Sequence, residues 1–185
     1  KRLLRRGLRP LPIYVASLKD PVSAATLGQL FDAAPPSVIL NSTAFAVGTP
    51  DGPGENPLSA APANKAPVFQ VVLSSGSEEA WREGLTGPSP RDIAMNAAVP
   101  EIDGRGLTRA ISFKGEAYFD EATQCPIAAY QAAGNRIDLV ADLAKSWSDL
   151  RNTPRAERKI AIVLANYPNK DGRLANGVGL DTPAS

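Results

Sequence analysis

Histidine is absent from the 185 residues. With it go any Ser-His-Asp or Cys-His catalytic group and any histidine-based zinc site within this stretch. Chemistry here must run on carboxylates, amides, hydroxyls, lysine and arginine. Cysteine occurs once, at Cys125, which excludes an internal disulfide and suits a reducing compartment. Flanked by Pro126, it is expected to be an inert, packed thiol. No apolar run is long enough to cross a bilayer. The basic start lacks the apolar segment and cleavage site of a signal peptide, so the expected location is the cytoplasm. Charge is nearly balanced, 20 basic against 19 acidic residues, and nothing electrostatic points to nucleic acid or a membrane surface. A G-x-x-x-x-G-K-[ST] phosphate loop is also missing, which excludes nucleotide hydrolysis by that route.

What is present reads as α/β. Lys1 to Arg6 resembles the last turns of a helix stopped by Gly7. Pro12 to Ser17 is a short β-branched run expected to be a buried strand. Asp20 caps and Pro21 opens a helix to about Phe31, which Pro35 and Pro36 end. Ser37 to Thr43 and Val68 to Leu73 read as further strands. Between them, Gly48 to Pro67 is rich in Pro, Gly, Ala and Asn and is expected to be a mobile surface excursion with little to bury. Ser77 and Ser89-Pro90 offer caps for two short helices. Thr108 to Phe113 reads as a strand, Gly134 to Arg151 as an amphipathic helix, and Lys159 to Ala165 as another buried strand. Trp81, Tyr130 and Trp147 read as core or interface anchors.

This alternation predicts a mostly parallel sheet covered by helices, of Rossmann- or flavodoxin-like type, with the start of a second α/β unit toward the C-terminus. The expected division is 1–118, carrying the excursion at 48–67, and 119–185. The opening reads as a helix end without a beginning. Asp181, Thr182 and Pro183 announce a helix without a body. Both point to a fragment of a longer chain.

Three places offer chemistry. The turn Pro100-Glu101-Ile102-Asp103-Gly104-Arg105 sets two carboxylates two positions apart, which in an extended segment share a side. They suit a hard cation or proton transfer, but on spacing alone a surface turn in which Asp103 bonds its own backbone accounts for them more simply. The glycine-rich stretch from Asn166 to Leu180 is either an anion-binding loop or a plain connection. Polar residues at expected strand ends (Ser17 with Lys19, and Asn41, Ser42 and Thr43) suit a ligand beyond the carboxyl edge of a sheet. Capping of a following helix accounts for them more simply.

Gly7-Leu8 and five segments, 11–21, 38–48, 68–73, 91–115 and 162–185, resemble the large subunit of aerobic cobaltochelatase, the CobN type, whose close relative is the large subunit of magnesium chelatase. The last two are long and unusual in composition, and the wording around 108–114 and 164–170 favours the cobalt branch. The resemblance implies a subunit several times longer than this chain. That subunit holds a tetrapyrrole, hydrogenobyrinic acid a,c-diamide, and the Co2+ to be inserted. Two ATPase-motor subunits, of the CobS and CobT types, use the ATP. It raises Glu101 as proton acceptor or transient metal ligand, because P-E-[IL]-D-G is common to both branches, with Asp103 as its helper. Arg105, Arg109, Lys170 and Arg173, with Asn166, become candidates for gripping the substrate's peripheral carboxylates. The rival expectation is a non-catalytic domain that shapes the subunit or docks the motor.

Overall fold

A computed structural model describes residues 1–48, 56–59, 66–85 and 87–163. The chain divides into two compact units, Lys1–Asn152 and Thr153–Ser185. The first is built on a four-stranded sheet in the order β1 (Ile39–Asn41), β2 (Val68–Leu73), β3 (Gly106–Asp120) and β4 (Cys125–Ala132). β1–β2 and β2–β3 are parallel, and β3–β4 is antiparallel. The fold is therefore α/β with a mostly parallel sheet, as the alternation predicts. The expected boundary at 118/119 falls inside β3, which pairs with β4 on both sides of it, past an irregularity between Glu116 and Tyr118.

Local chemistry sets most helices. α1 (Arg2–Arg5) closes with Gly7 at φ 75°. Leu8 N–H donates to Leu3 O at 3.2 Å and Gly7 N–H to Leu4 O at 3.0 Å, a paired closure that uses glycine's left-handed freedom. α2 (Pro21–Ala33) starts where Asp20 accepts from the Ser23 backbone N–H at 2.8 Å and hydroxyl at 2.7 Å. Those two bonds hold the Asp20 carboxyl below its usual range. α3 (Glu78–Glu83) and α4 (Pro90–Ile93) are capped by Ser77 and Ser89. α6 (Gly134–Asn152) is the long amphipathic helix. It is tied to α1 by Arg2 on Asp138 and by Arg6 on both Asp138 and Asp142. Hydrogen bonding to Asp142 holds the Arg6 guanidinium above its usual value and the Asp142 carboxyl below its own.

Between α4 and α5 (Val99–Glu101) the backbone widens into a π turn, Ala94–Ala98, in which Val99 N–H donates to Ala94 O. Pro100, next in line, has no N–H to give. The Met95 carbonyl is thus left without a donor from its own helix.

Two apolar clusters lie against the sheet. Leu27 and Phe31 of α2 pack with Leu18 and Leu58, and Val15, Ile39, Val47 and Val68 border them. Val72, Ala110, Phe113 and Ala133 form the second, bordered by Trp81, whose ring stands 5.7 Å from that of Phe113. Burying each large side chain of this kind contributes about 1.5–3 kcal/mol.

Several expectations give way. Residues 12–17 form no strand, and Tyr14 is 95% exposed, because Pro10 and Pro12 withhold donors and no strand among the described residues pairs with them. Leu58, inside the stretch expected to bury little, is a core residue. The remainder of that excursion lies mostly outside the described residues. β4 lies in a stretch to which the sequence assigned no element, and Cys125 on it is exposed rather than packed. Trp147 packs on Phe69 with ring centroids 5.6 Å apart, whereas Tyr130 is exposed.

In the second unit a 3-10 turn, Arg155–Glu157, follows Pro154. Residues 159–163, expected as strand, are irregular, and Ile160, Ile162 and Val163 are exposed. A strand requires a ladder partner, and the described residues of this unit supply none.

Candidate functional site

The loop after β1 is where the sheet's polar interior reaches the surface. Asn41, the last residue of β1, donates to Gln70 Oε1 at 2.9 Å and to Thr43 O at 3.1 Å, and its Oδ1 accepts from the Thr43 hydroxyl at 2.9 Å. Gln70 sits fully buried within β2 and donates to Thr43 O at 3.0 Å. Arg105 enters from the turn before β3. Its Nη1 donates to Thr43 O at 3.1 Å and to Gln70 Oε1 at 3.2 Å, and its Nη2 to Asp103 Oδ2 at 2.6 Å. The Asp103 carboxylate in turn accepts from Val47 N–H at 2.9 Å and Gly48 N–H at 2.8 Å. The side chains of Asp103 and Arg105 are 1% and 0% exposed. Burial pushes the Arg105 guanidinium below its usual value, and the charge and hydrogen bond of Asp103 oppose that shift. Arg105 Nε is buried with no partner.

This clasp fixes a strained loop. Phe45 adopts φ 66°, in the region that favours glycine, and is 61% exposed. Its N–H donates at 3.3 Å to Met95 O, the carbonyl released by the π turn and Pro100. Strain of this kind persists only where the surroundings over-determine it, and it gathers at functional sites.

The predicted site residues separate. Glu101 and Asp103 do not share one side of an extended segment. Glu101 is exposed at the end of α5, whereas Asp103 turns inward, on a helical turn closed by Gly104 at φ 68°. Asp103 bonds the backbone of the 43–48 loop rather than its own. Arg105, expected to reach a substrate carboxylate, is enclosed within the clasp. Arg109 is exposed on β3 and makes no ion pair among the described residues. Lys170, Arg173, Asn166 and the rest of the glycine-rich loop lie outside the described residues. Asn41 and Thr43 cap no helix; they fold back onto the sheet. Ser17 Oγ accepts from Lys19 N–H at 3.1 Å, a local turn. Phe45, Gln70 and the Met95 carbonyl went unread in the sequence. The one available signal was Pro100, whose missing donor frees a carbonyl upstream.

A second clasp lies after β2. The buried Asp92 of α4 accepts from the Ser74 hydroxyl at 2.8 Å, the Ser75 hydroxyl at 2.9 Å and Ser75 N–H at 3.0 Å. Among the described residues no group of three or more His, Cys, Asp or Glu side chains is placed to hold a metal ion. No helix there is long and apolar enough to cross a membrane.

The unit is thus an α/β sheet whose carboxyl-edge loop is locked beside an exposed carboxylate, Glu101. The family model for CobN/magnesium chelatase matches residues 1–185, and the chain belongs to that family. It is 48% identical over 178 residues to the aerobic cobaltochelatase subunit CobN of a Sinorhizobium species, covering 96% of this chain and 14% of that protein. With the protein of the same name from Pseudomonas aeruginosa it is 43% identical over 185 residues, again covering 14% of the relative. A solved structure, the catalytic subunit of cobaltochelatase from Mycobacterium tuberculosis, superposes with a TM-score of 0.78 at 31% identity, over 100% of this chain and 15% of that one. The chain thus spans about one-seventh of the length of these relatives.

Proposed function

We propose that this chain is part of the tetrapyrrole- and metal-binding large subunit of an ATP-dependent cobaltochelatase, which inserts Co2+ into hydrogenobyrinic acid a,c-diamide in the cytoplasm during cobalamin biosynthesis. The observation that carries it is the pairing of an exposed carboxylate, Glu101, with a rigid clasp two residues away, in a chain 43–48% identical to cobaltochelatase subunits. Insertion requires that Co2+ shed water and that protons leave the ring nitrogens. An oxygen ligand holds the metal weakly enough to release it, and a carboxylate accepts the proton. Glu101 takes these roles, and Asp103 holds the turn that aims it. Arg109, free of ion pairs among the described residues, grips a peripheral carboxylate of the macrocycle, with Asn166, Lys170 and Arg173 as further contacts. Arg105 acts through the clasp. ATP is used by two motor subunits of the CobS and CobT types.

The test is Glu101→Gln in the full-length subunit, reconstituted with the motor. Chelation is expected to fall at least about a hundredfold, while affinity for the metal-free tetrapyrrole stays within about twofold. An undiminished rate removes Glu101 from the mechanism. A docking role is the second reading, favoured by the β3–β4 hairpin, which exposes Tyr118, Phe119 and Tyr130. Loss of motor binding on Tyr130→Glu, with tetrapyrrole affinity intact, would select it.

A further inference from the structure

We infer that Phe45 is a ligand-contacting residue, presented by the Asp103–Arg105 clasp to lie against the flat apolar face of a macrocycle. The inference rests on the tetrapyrrole-binding reading above and adds to it a site that Glu101 and the arginines do not include. Four independent observations converge on Phe45.

Its backbone is left-handed, a conformation that glycine or asparagine fills at lower cost than a bulky aromatic. The ring is 61% exposed, so the fold gains little from burying it. The loop is held on both sides: by three donors converging on Thr43 O, and by the Asp103 bonds to Val47 and Gly48. The Phe45 N–H is itself fixed to the Met95 carbonyl. Lastly, the loop leaves the carboxyl end of a parallel strand, where ligands bind in open α/β sheets.

A rigid aromatic offers a conjugated ring a large contact area at little entropic cost. The half-exposed Ile93 and Ile102 flank the π turn that anchors Phe45, adding apolar surface on the same helical segment. Charge is supplied separately by Glu101 and Arg109. The chemistry recognised is therefore a planar, conjugated ring carrying acidic groups at its rim.

The full-length subunit is titrated with metal-free hydrogenobyrinic acid a,c-diamide, following quenching of intrinsic fluorescence, for the native protein, Phe45→Ala and Phe45→Tyr. Thermal midpoints are recorded in parallel. Phe45→Ala is expected to weaken binding about tenfold. Phe45→Tyr keeps affinity within about twofold. Both melt within about 2 °C of the native protein, as surface changes do. Native affinity in Phe45→Ala overturns the inference and leaves the tetrapyrrole reading standing. A midpoint several degrees lower with affinity unchanged assigns Phe45 to packing against the rest of the subunit, and also overturns it. Failure of the native protein to bind sinks the underlying reading itself.

Discussion

Asp103 and Asp92 sit at opposite ends of one helical segment and do the same mechanical job with different partners. Each reaches from that segment to the loop after a parallel strand: Asp103 to Val47 and Gly48 after β1, Asp92 to Ser74 and Ser75 after β2. Asp92 is met by neutral hydroxyls and one main-chain N–H. Asp103 is met by two N–H groups and a buried guanidinium, so two opposite charges are withdrawn from water together. Such a pair is costly to assemble and more costly to break, because the surviving partner keeps its desolvation penalty. Only the loop held by the charged clasp carries a strained, exposed aromatic. A carboxylate met only by neutral donors suffices for a plain strand-to-helix turn.

The contrast predicts unequal consequences. Asp103→Ala leaves Arg105 buried without its counter-charge and is expected to cost about 3–5 kcal/mol. Hydrogen exchange at Val47 and Gly48 should report it as loss of amide protection. Asp92→Ala leaves two hydroxyls that can turn toward other acceptors and is expected to cost about 1–3 kcal/mol, read at the Ser75 amide. Equal losses at the two sites would break the distinction. The smallest effect is acid sensitivity at the surface. Asp20 and Asp142 have folded-state values below their usual 3.8, so they stabilise the folded form fully above that pH. Their contribution drains away as pH falls below it. Protection of the Ser23 amide, its exchange relative to an unfolded chain at the same pH, should therefore fall as pH drops below that value, and Asp20→Asn should flatten that dependence.

Much of the fold was legible because caps are local. Asp20-Pro21, Ser77 and Ser89-Pro90 each announce a helix within three residues, and the structure places helices at all of them. The β3–β4 hairpin was not legible, since β4 is rich in alanine, includes Pro126, and is reached through a turn that uses Gln124 at φ 52° rather than Gly or Asn. Residues 12–17 misled in the other direction: an apolar run has strand character whether or not a neighbour exists to pair with it. At the candidate site, Glu101 and Asp103 stood out by spacing, but their division of roles did not. Which of them is buried depends on Val47, Gly48 and Arg105, and Asp103 bonds Gly48 and Val47 across 55 and 56 positions of sequence. Gln70 was hidden in the same way, as a polar residue inside an apolar strand whose partners lie 29 and 35 positions away.

The widened turn at Ala94–Ala98 lets the segment hold one residue more than a regular turn would. Deleting a single alanine there would convert the Val99-to-Ala94 bond into an ordinary i→i−4 bond and leave Asp92 and Asp103 on nearly the faces they now occupy. An inserted residue would find that slack already used: at about 100° per residue it would turn Asp103 away from the loop it holds while Asp92 stayed seated.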